Sequence, residues 1–199
     1  MTQPASTSSP QITLASSSPR RRELLEQIRV SYEVVPVDID ESCLADESPE
    51  QYVRRLALEK ARAGYQQRPV RPALGSDTIV VIEGQVLGKP EDKKHGLQML
   101  AQLSSATHLV MTAVALCDAQ EQTCIVSISE VEFAELSEQQ IEAYWATGEP
   151  VDKAGGYAVQ GIAAQFIKNI QGSYSGIMGL PLYETAKLLK QSGINLLPC

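Results

Sequence analysis

Only two histidines and four cysteines occur in the 199 residues. The cysteines, at positions 43, 117, 124 and 199, form no CxxC pair and no zinc-type spacing, so they read as reduced thiols rather than as a metal or disulfide framework. With His95 and His108 alone, a multi-histidine metal site is excluded, and the apolar stretch around His108 gives that residue a structural reading. No apolar run is long enough to span a bilayer. The formal charge of −7 argues against a broad nucleic-acid surface. It still allows a local basic pocket, because a small anion needs only a few well-placed cations. Residues 1–11, rich in Ser, Thr, Pro and Gln, lack the basic start and apolar stretch of a signal peptide. They read as a disordered extension ahead of a single domain over residues 12–199, with the cytoplasm as the expected compartment.

Mixed strand and helix signals run along the rest of the chain. Ile12 to Ala15 is a short apolar strand, after which Ser18 is placed to cap a helix with Pro19 at its first position. The Ser16-Ser17-Ser18-Pro19-Arg20-Arg21-Arg22 stretch thus puts hydroxyls and guanidiniums at a helix mouth, a setting suited to phosphate. Tyr32 to Val37 reads as an edge strand because of Pro36, and it leads into Asp38-Ile39-Asp40-Glu41. Ser48-Pro49-Glu50-Gln51 is a capping-box helix start. Along that helix Val53, Leu56, Ala57 and Lys60 share a face. Lys60 is either a snorkelling lysine at the edge of that face or a cation aimed into a cleft; position alone leaves both open.

Gly75-Ser76-Asp77-Thr78 places a carboxylate within an apolar strand, where metal binding or water activation would need it. Glu83-Gly84 closes a hairpin. Gly88-Lys89-Pro90 is expected to open the next helix with Pro90 at its first position, which would set Lys89 against the helix dipole unless an anion offsets it. Long strands follow over Leu109 to Leu116 and Ile125 to Phe133, then a helix capped by Ser137. The glycine-rich Asp152 to Gly161 stretch does not fit a dinucleotide fingerprint. A strand over Ala164 to Ile170 and a helix starting at Pro181 complete the pattern. These signals predict an α/β fold with a mixed sheet, flanking helices and two lobes around a central cleft.

Five blocks in this order carry a family resemblance: Leu14 to Arg21, Glu59-Lys60-Ala61, Gly75 to Thr78, Gly88-Lys89-Pro90, and Asp152 to Gly161. From about Ile12 to Leu189 the chain resembles the Maf family of nucleoside-triphosphate pyrophosphatases, with its inosine-triphosphatase-like fold, and within it the branch preferring dTTP and UTP. The resemblance implies hydrolysis to the monophosphate and pyrophosphate with a divalent metal, Mg or Mn. It implies Asp77 as the catalytic carboxylate, Arg20, Thr78 and Gln160 as specificity determinants, and Ser16, Arg21, Lys60 and Lys89 as phosphate-binding residues. It also associates Glu41, together with Asp77, with the metal. The expected partner is a nucleoside triphosphate, with no nucleic acid and no membrane, and a homodimer is compatible with the resemblance. Arg22 is expected in solvent. Two alternatives stand beside this reading: a 7-methyl-GTP-type pyrophosphatase, and a non-catalytic nucleotide-binding regulator of cell division or septum formation. Two positions depart from the family pattern: Ser105, where Gly is frequent, and Glu132, where a smaller or hydroxyl residue is common.

Overall fold

A computed structural model describes residues 9–197. Most of the expected N-terminal extension, residues 1–8, lies outside the described residues, as does Cys199; Gln11 is hydrogen-bonded to Ser31, its N–H donating to the Ser31 carbonyl at 2.9 Å. The fold is one mixed seven-stranded sheet in the order β2-β1-β3-β5-β6-β7, with β4 also paired to β3. The strands are β1 (Ile12–Leu14), β2 (Tyr32–Val34), β3 (Ala73–Ile82), β4 (Gln85–Leu87), β5 (Thr107–Cys117), β6 (Gln122–Phe133) and β7 (Ile167–Gln171). Strand β1 runs parallel to β2 and β3, and all other pairs are antiparallel. The helices are α1 (Pro19–Gln27), α2 (Pro49–Gln67), α3 (Lys93–Leu103), α4 (Glu138–Ala146), the single turn α5 (Tyr174–Ile177) and α6 (Leu182–Gln191). No helix among the described residues is long and apolar enough to cross a membrane.

Local chemistry explains where several elements begin. Both α2 and α4 start with complete capping boxes, Ser48 with Gln51 and Ser137 with Gln140, each satisfying two otherwise orphaned N–H groups. Helix α1 starts at Pro19 as expected, but the Ser18 side chain makes no capping bond. Three expectations need correction. Gly88-Lys89-Pro90 does not open α3: Asp92 caps it instead, accepting the His95 N–H at 2.8 Å. A carboxylate cap satisfies the dipole that Lys89 would have opposed. Ala164 and Gln165 belong to a 3-10 turn over Ile162–Phe166, so β7 begins only at Ile167. The second strand is shorter than expected and stops at Val34.

The period-two alternation of strands divides the core. Odd-numbered residues of β3 and β5, including Ile79, Val81, Met111, Ala113 and Ala115, pack with Val53, Ala57 and Ala61 of α2. On the other face the apolar residues fall into two separate clusters. Leu74, Val114 and Leu116 pack with Leu24 and Leu25 of α1 and Leu188 and Leu189 of α6. Val80, Val110 and Val131 pack with Met99, Leu100 and Leu103 of α3 and Ile141 and Tyr144 of α4. Between these two clusters β3, β5 and β6 present Ser76, Thr78, Thr112 and Ser127 instead of hydrocarbon. The two clusters are the two expected lobes, and this hydroxyl belt lies between them.

Candidate active site

Strand pairing opens the cleft. One edge of β3 is paired to β1 only at Ala73 and Leu74, and to β4 only from Val80 onward. Between them, residues 75–79 have a partner strand on one side only, β5. A cleft of about 590 Å³ lies at this gap, within the size range of small-molecule sites. It is lined by Ser16, Arg20 and Arg21 from the β1–α1 junction, Glu41 from the loop between β2 and α2, and Lys60 from α2. Asp77 and Thr78 of β3, Lys89 and Gln160 complete the set. Every residue expected at the site therefore lies on one cleft. Arg22 does not line it, and donates instead to the Ser17 carbonyl at 3.0 Å.

Lys60 is the cation aimed inward. Its Nζ lies 2.7 Å from Asp77 Oδ1 and 2.6 Å from Glu41 Oε1, with only 12% of its side chain and 11% of that of Asp77 exposed. Burying charge is costly unless it is paired, and here one ammonium serves two carboxylates. Partial burial pushes the Glu41 carboxyl up, but the Lys60 hydrogen bond and the charges of Lys60, Lys89 and Arg21 outweigh it and hold it below the ordinary carboxylate value. The approach of α2 to β3 depends on Gly75: a Cβ there would sit 2.4 Å from both the Ala57 carbonyl oxygen and the Ala61 nitrogen. Absence of a side chain thus lets α2 settle close enough for Lys60 to reach Asp77.

The loop carrying Glu41 is tied to the same helix. Arg55 grips Glu47 through Nε and Nη2 at 2.7 and 2.8 Å and donates to the Ser42 carbonyl at 2.9 Å. Tyr52 donates its hydroxyl to the Glu41 carbonyl at 2.7 Å. On the opposite wall Arg21 donates through Nε to the Gly179 carbonyl at 2.9 Å and through Nη1 to Ser16 Oγ at 3.1 Å. Burial lowers the guanidinium pKa of Arg21, while the neighbouring Asp77 charge works against that shift.

Lys89 reaches the cleft from a loop, where it is exposed. That loop is fastened to the glycine-rich stretch by the Gly155 N–H, which donates to the Gly88 carbonyl at 2.9 Å. Gly155 has φ +68° and lies against Val80, so a side chain there would be both strained and crowded. Asp152 and Lys153 form an ion pair on the cleft rim. Gln160 is exposed at the cleft mouth, and the segments flanking it are anchored by residues that sequence reasoning missed. Glu149 accepts the Ile162 and Ala163 N–H groups at 2.9 and 3.2 Å and the Tyr144 hydroxyl at 2.8 Å. Tyr144 in turn accepts the Ala158 N–H at 3.3 Å. Tyr157 is buried against His108 and Phe133 with edge-on ring contacts, the packing role its sequence position suggests. A Glu-Pro pair after a helix gave no signal of such anchoring.

The arrangement offers several cations for a polyanion, two carboxylates around Lys60, and neutral hydrogen-bonding groups beside them. Similar proteins bear on this geometry. A "Maf-like protein" family model matches residues 11–192. A dTTP/UTP pyrophosphatase of Alkalilimnicola ehrlichii is 54% identical over 192 residues, covering 94% of this chain and 95% of that protein. One from Saccharophagus degradans is 52% identical over 180 residues, covering 88% and 86%. A third, from Pseudoalteromonas atlantica, is 50% identical over 187 residues, covering 92% and 97%. The structure of the Staphylococcus aureus Ham1 protein aligns with a TM-score of 0.47 at 13% identity, covering 78% of this chain and 90% of that one, too distant to carry an argument. The family match over nearly the whole described chain, and relatives of half identity over 86% or more of their own length, mean that the chain belongs to the Maf family.

Proposed function

We propose that this protein is a nucleoside-triphosphate pyrophosphatase that cleaves dTTP and UTP, or pyrimidine nucleotides modified on the base, to the monophosphate and pyrophosphate. The observation that carries the proposal is the Glu41–Lys60–Asp77 bridge, opening on the same cleft as Arg20, Arg21 and Lys89. Relatives of about half identity that bear the name dTTP/UTP pyrophosphatase support the same reading. Residues 12–199 are read as one catalytic domain, with α6 packed on the sheet that carries the site.

The donor chemistry suits a hard divalent cation. No group of three or more His, Cys, Asp or Glu side chains is placed to hold a metal among the described residues. Two carboxylates do converge on one positive charge. Glu41 and Asp77 would hold Mg or Mn, ions that accept water and substrate oxygens as their remaining ligands. Such a cation supplies neutralisation of triphosphate charge.

In the proposed reaction a water oxygen attacks the α-phosphorus, its proton passes to Asp77, and pyrophosphate departs. Lys60 fixes Asp77 through Oδ1, and Oδ2, which accepts no hydrogen bond from a described residue, is the oxygen free to take the proton. Ser16, Arg21, Lys60 and Lys89 meet the phosphate oxygens, with charge-assisted hydrogen bonds the strongest of these contacts. Arg20, Thr78 and Gln160 read the base. Gln160 can donate and accept together, matching a carbonyl beside an imide N–H, and Arg20 can only donate, which suits a carbonyl oxygen.

Pyrophosphate release measured across dTTP, UTP, CTP and 7-methyl-GTP with Mg and with Mn tests the proposal. Preference for dTTP and UTP is expected. Preference for 7-methyl-GTP would move the protein to that activity. Tight triphosphate binding with no release on any substrate would leave the regulator of division or septum formation as the better reading.

A further inference from the structure

The Lys60 ammonium stands between the two carboxylates that the proposed function gives to a divalent cation. An ammonium has three N–H groups. Lys60 holds Asp77 Oδ1 at 2.7 Å and Glu41 Oε1 at 2.6 Å, so one N–H is left for the phosphates that the same cleft would receive. A single side chain is thus claimed by the metal ligands and by the substrate.

The two ends of the bridge are not alike. Asp77 sits on β3 opposite Ala113 of β5, and its side chain is 11% exposed. Glu41 sits on a loop with 53% of its side chain exposed. Tyr52 and Arg55 grip that loop only at the Glu41 and Ser42 carbonyls. These bonds hold the main chain and leave the Glu41 carboxylate with Lys60 as its one partner among the described residues. Glu41 is therefore the end that can change partners without moving the backbone.

We propose that Lys60 competes with the divalent cation for Glu41, and that it yields Glu41, keeps Asp77 and turns the freed N–H to phosphate when both ligands bind. The inference rests on the proposed pyrophosphatase reading and deepens it by giving Lys60 two successive partners. A cation taken up by Glu41 brings a second positive charge against the ammonium, and the two repel. The flexible four-carbon stem of lysine lets the head group turn. An ammonium this far from solvent is costly without a partner, and the phosphate oxygens replace the carboxylate it gives up. Metal and triphosphate then favour each other's binding through one side chain.

The test is Mn affinity without nucleotide, read by paramagnetic resonance of free Mn, in the wild type, Lys60→Met and Lys89→Gln. Loss of a phosphate-binding lysine would ordinarily weaken a site. Here Lys60→Met should bind Mn about tenfold more tightly, because the competing charge is gone. Lys89 also acts on Glu41 through its charge, but from an exposed loop position. Lys89→Gln should therefore change the affinity by only about twofold. Equal or weaker Mn binding by folded Lys60→Met, or equal tightening by Lys89→Gln, overturns the inference. Should thermal melting show that Lys60→Met does not fold, the wild type crystallised with Mn and a non-hydrolysable UTP analogue decides. Lys60 Nζ should then contact Asp77 and a phosphate oxygen but not Glu41, and a retained Glu41 contact overturns the inference. The Mn titrations contain no nucleotide, so they read separately from turnover. Wild-type protein that releases no pyrophosphate from UTP would overturn the proposed function instead.

Discussion

Asp77 and Thr78 are adjacent on β3, yet they face opposite sides of the sheet and join different networks. Asp77 looks toward α2 and meets Lys60, which also holds Glu41. Thr78 looks toward α5 and meets the neutral hydroxyl of Thr112. The first network is made of charges that are costly to bury and survive by mutual pairing. It suits the part of a nucleotide that is common to all triphosphates. The second carries no charge, only hydroxyls and backbone carbonyls. It suits the part that differs between nucleotides. The gap on one edge of β3 leaves both residues on the lining of a single cleft, and strand alternation sets the charged and the neutral network one residue apart.

The largest expected effect breaks the charged side alone. Asp77→Asn should lower pyrophosphate release by about a thousandfold or more, near 4 kcal/mol of transition-state stabilisation, while triphosphate binding followed by calorimetry persists. Near-normal turnover in that variant with Mg would remove Asp77 from the chemistry. Next, Gly75→Ala tests the packing that brings the charged side together. With a Cβ 2.4 Å from two backbone atoms of α2, the cost should be about 3 kcal/mol or more, read as a lower denaturant midpoint. A variant as stable as the wild type would show that α2 can stand further from β3.

A third prediction concerns the face opposite α2, where His108 is buried against Phe133 and hydrogen-bonded to the Tyr157 hydroxyl at 2.8 Å. Burial lowers its pKa to about 4 from an ordinary 6.5. Between those values the unfolded chain binds more protons at this residue than the folded one, so stability should rise with pH. The contribution is fully present above about pH 6.5, and on the order of 2–3 kcal/mol of it is lost as the pH falls toward 4. Denaturant midpoints across this range should slope accordingly, and His108→Gln should flatten that slope; an unchanged slope would assign it to other groups. The smallest effect is expected at Ser105, which holds φ +57° beyond the end of α3. Ser105→Gly should add about 0.5–1 kcal/mol by relieving left-handed strain, visible as a small rise in melting temperature with catalysis unaltered. A fall would mean that the Ser105 side chain contributes more than its strain costs.

How much of this was legible depended on how local each cause is. The capping boxes of α2 and α4 were readable because Ser48 and Gln51, or Ser137 and Gln140, satisfy each other within one turn. Lys89 does not sit at a helix start because Pro90, the only local signal read there, is outweighed by the His95 N–H that donates to the Asp92 carboxylate and sets the start of α3 at Lys93. The expected start of β7 at Ala164 is too early because the Ala164 N–H donates to the Gly161 carbonyl at 3.1 Å and the Ala164 carbonyl accepts the Ile167 N–H, both within the 3-10 turn, which leaves neither group for a ladder.

By itself the sequence determined the alternation of helix and strand, the family, and the set of polar residues around the cleft. These rest on residue type and short spacing, which a linear chain carries intact. Only the tertiary structure decided that Lys60 bridges Glu41 and Asp77 rather than reaching for solvent, because that requires α2 to cross β3 at Gly75. Only it decided the partner of Thr78 as well, since the pairing of positions 78 and 112 is a matter of strand register. A one-residue slip would have turned a different side chain to face it.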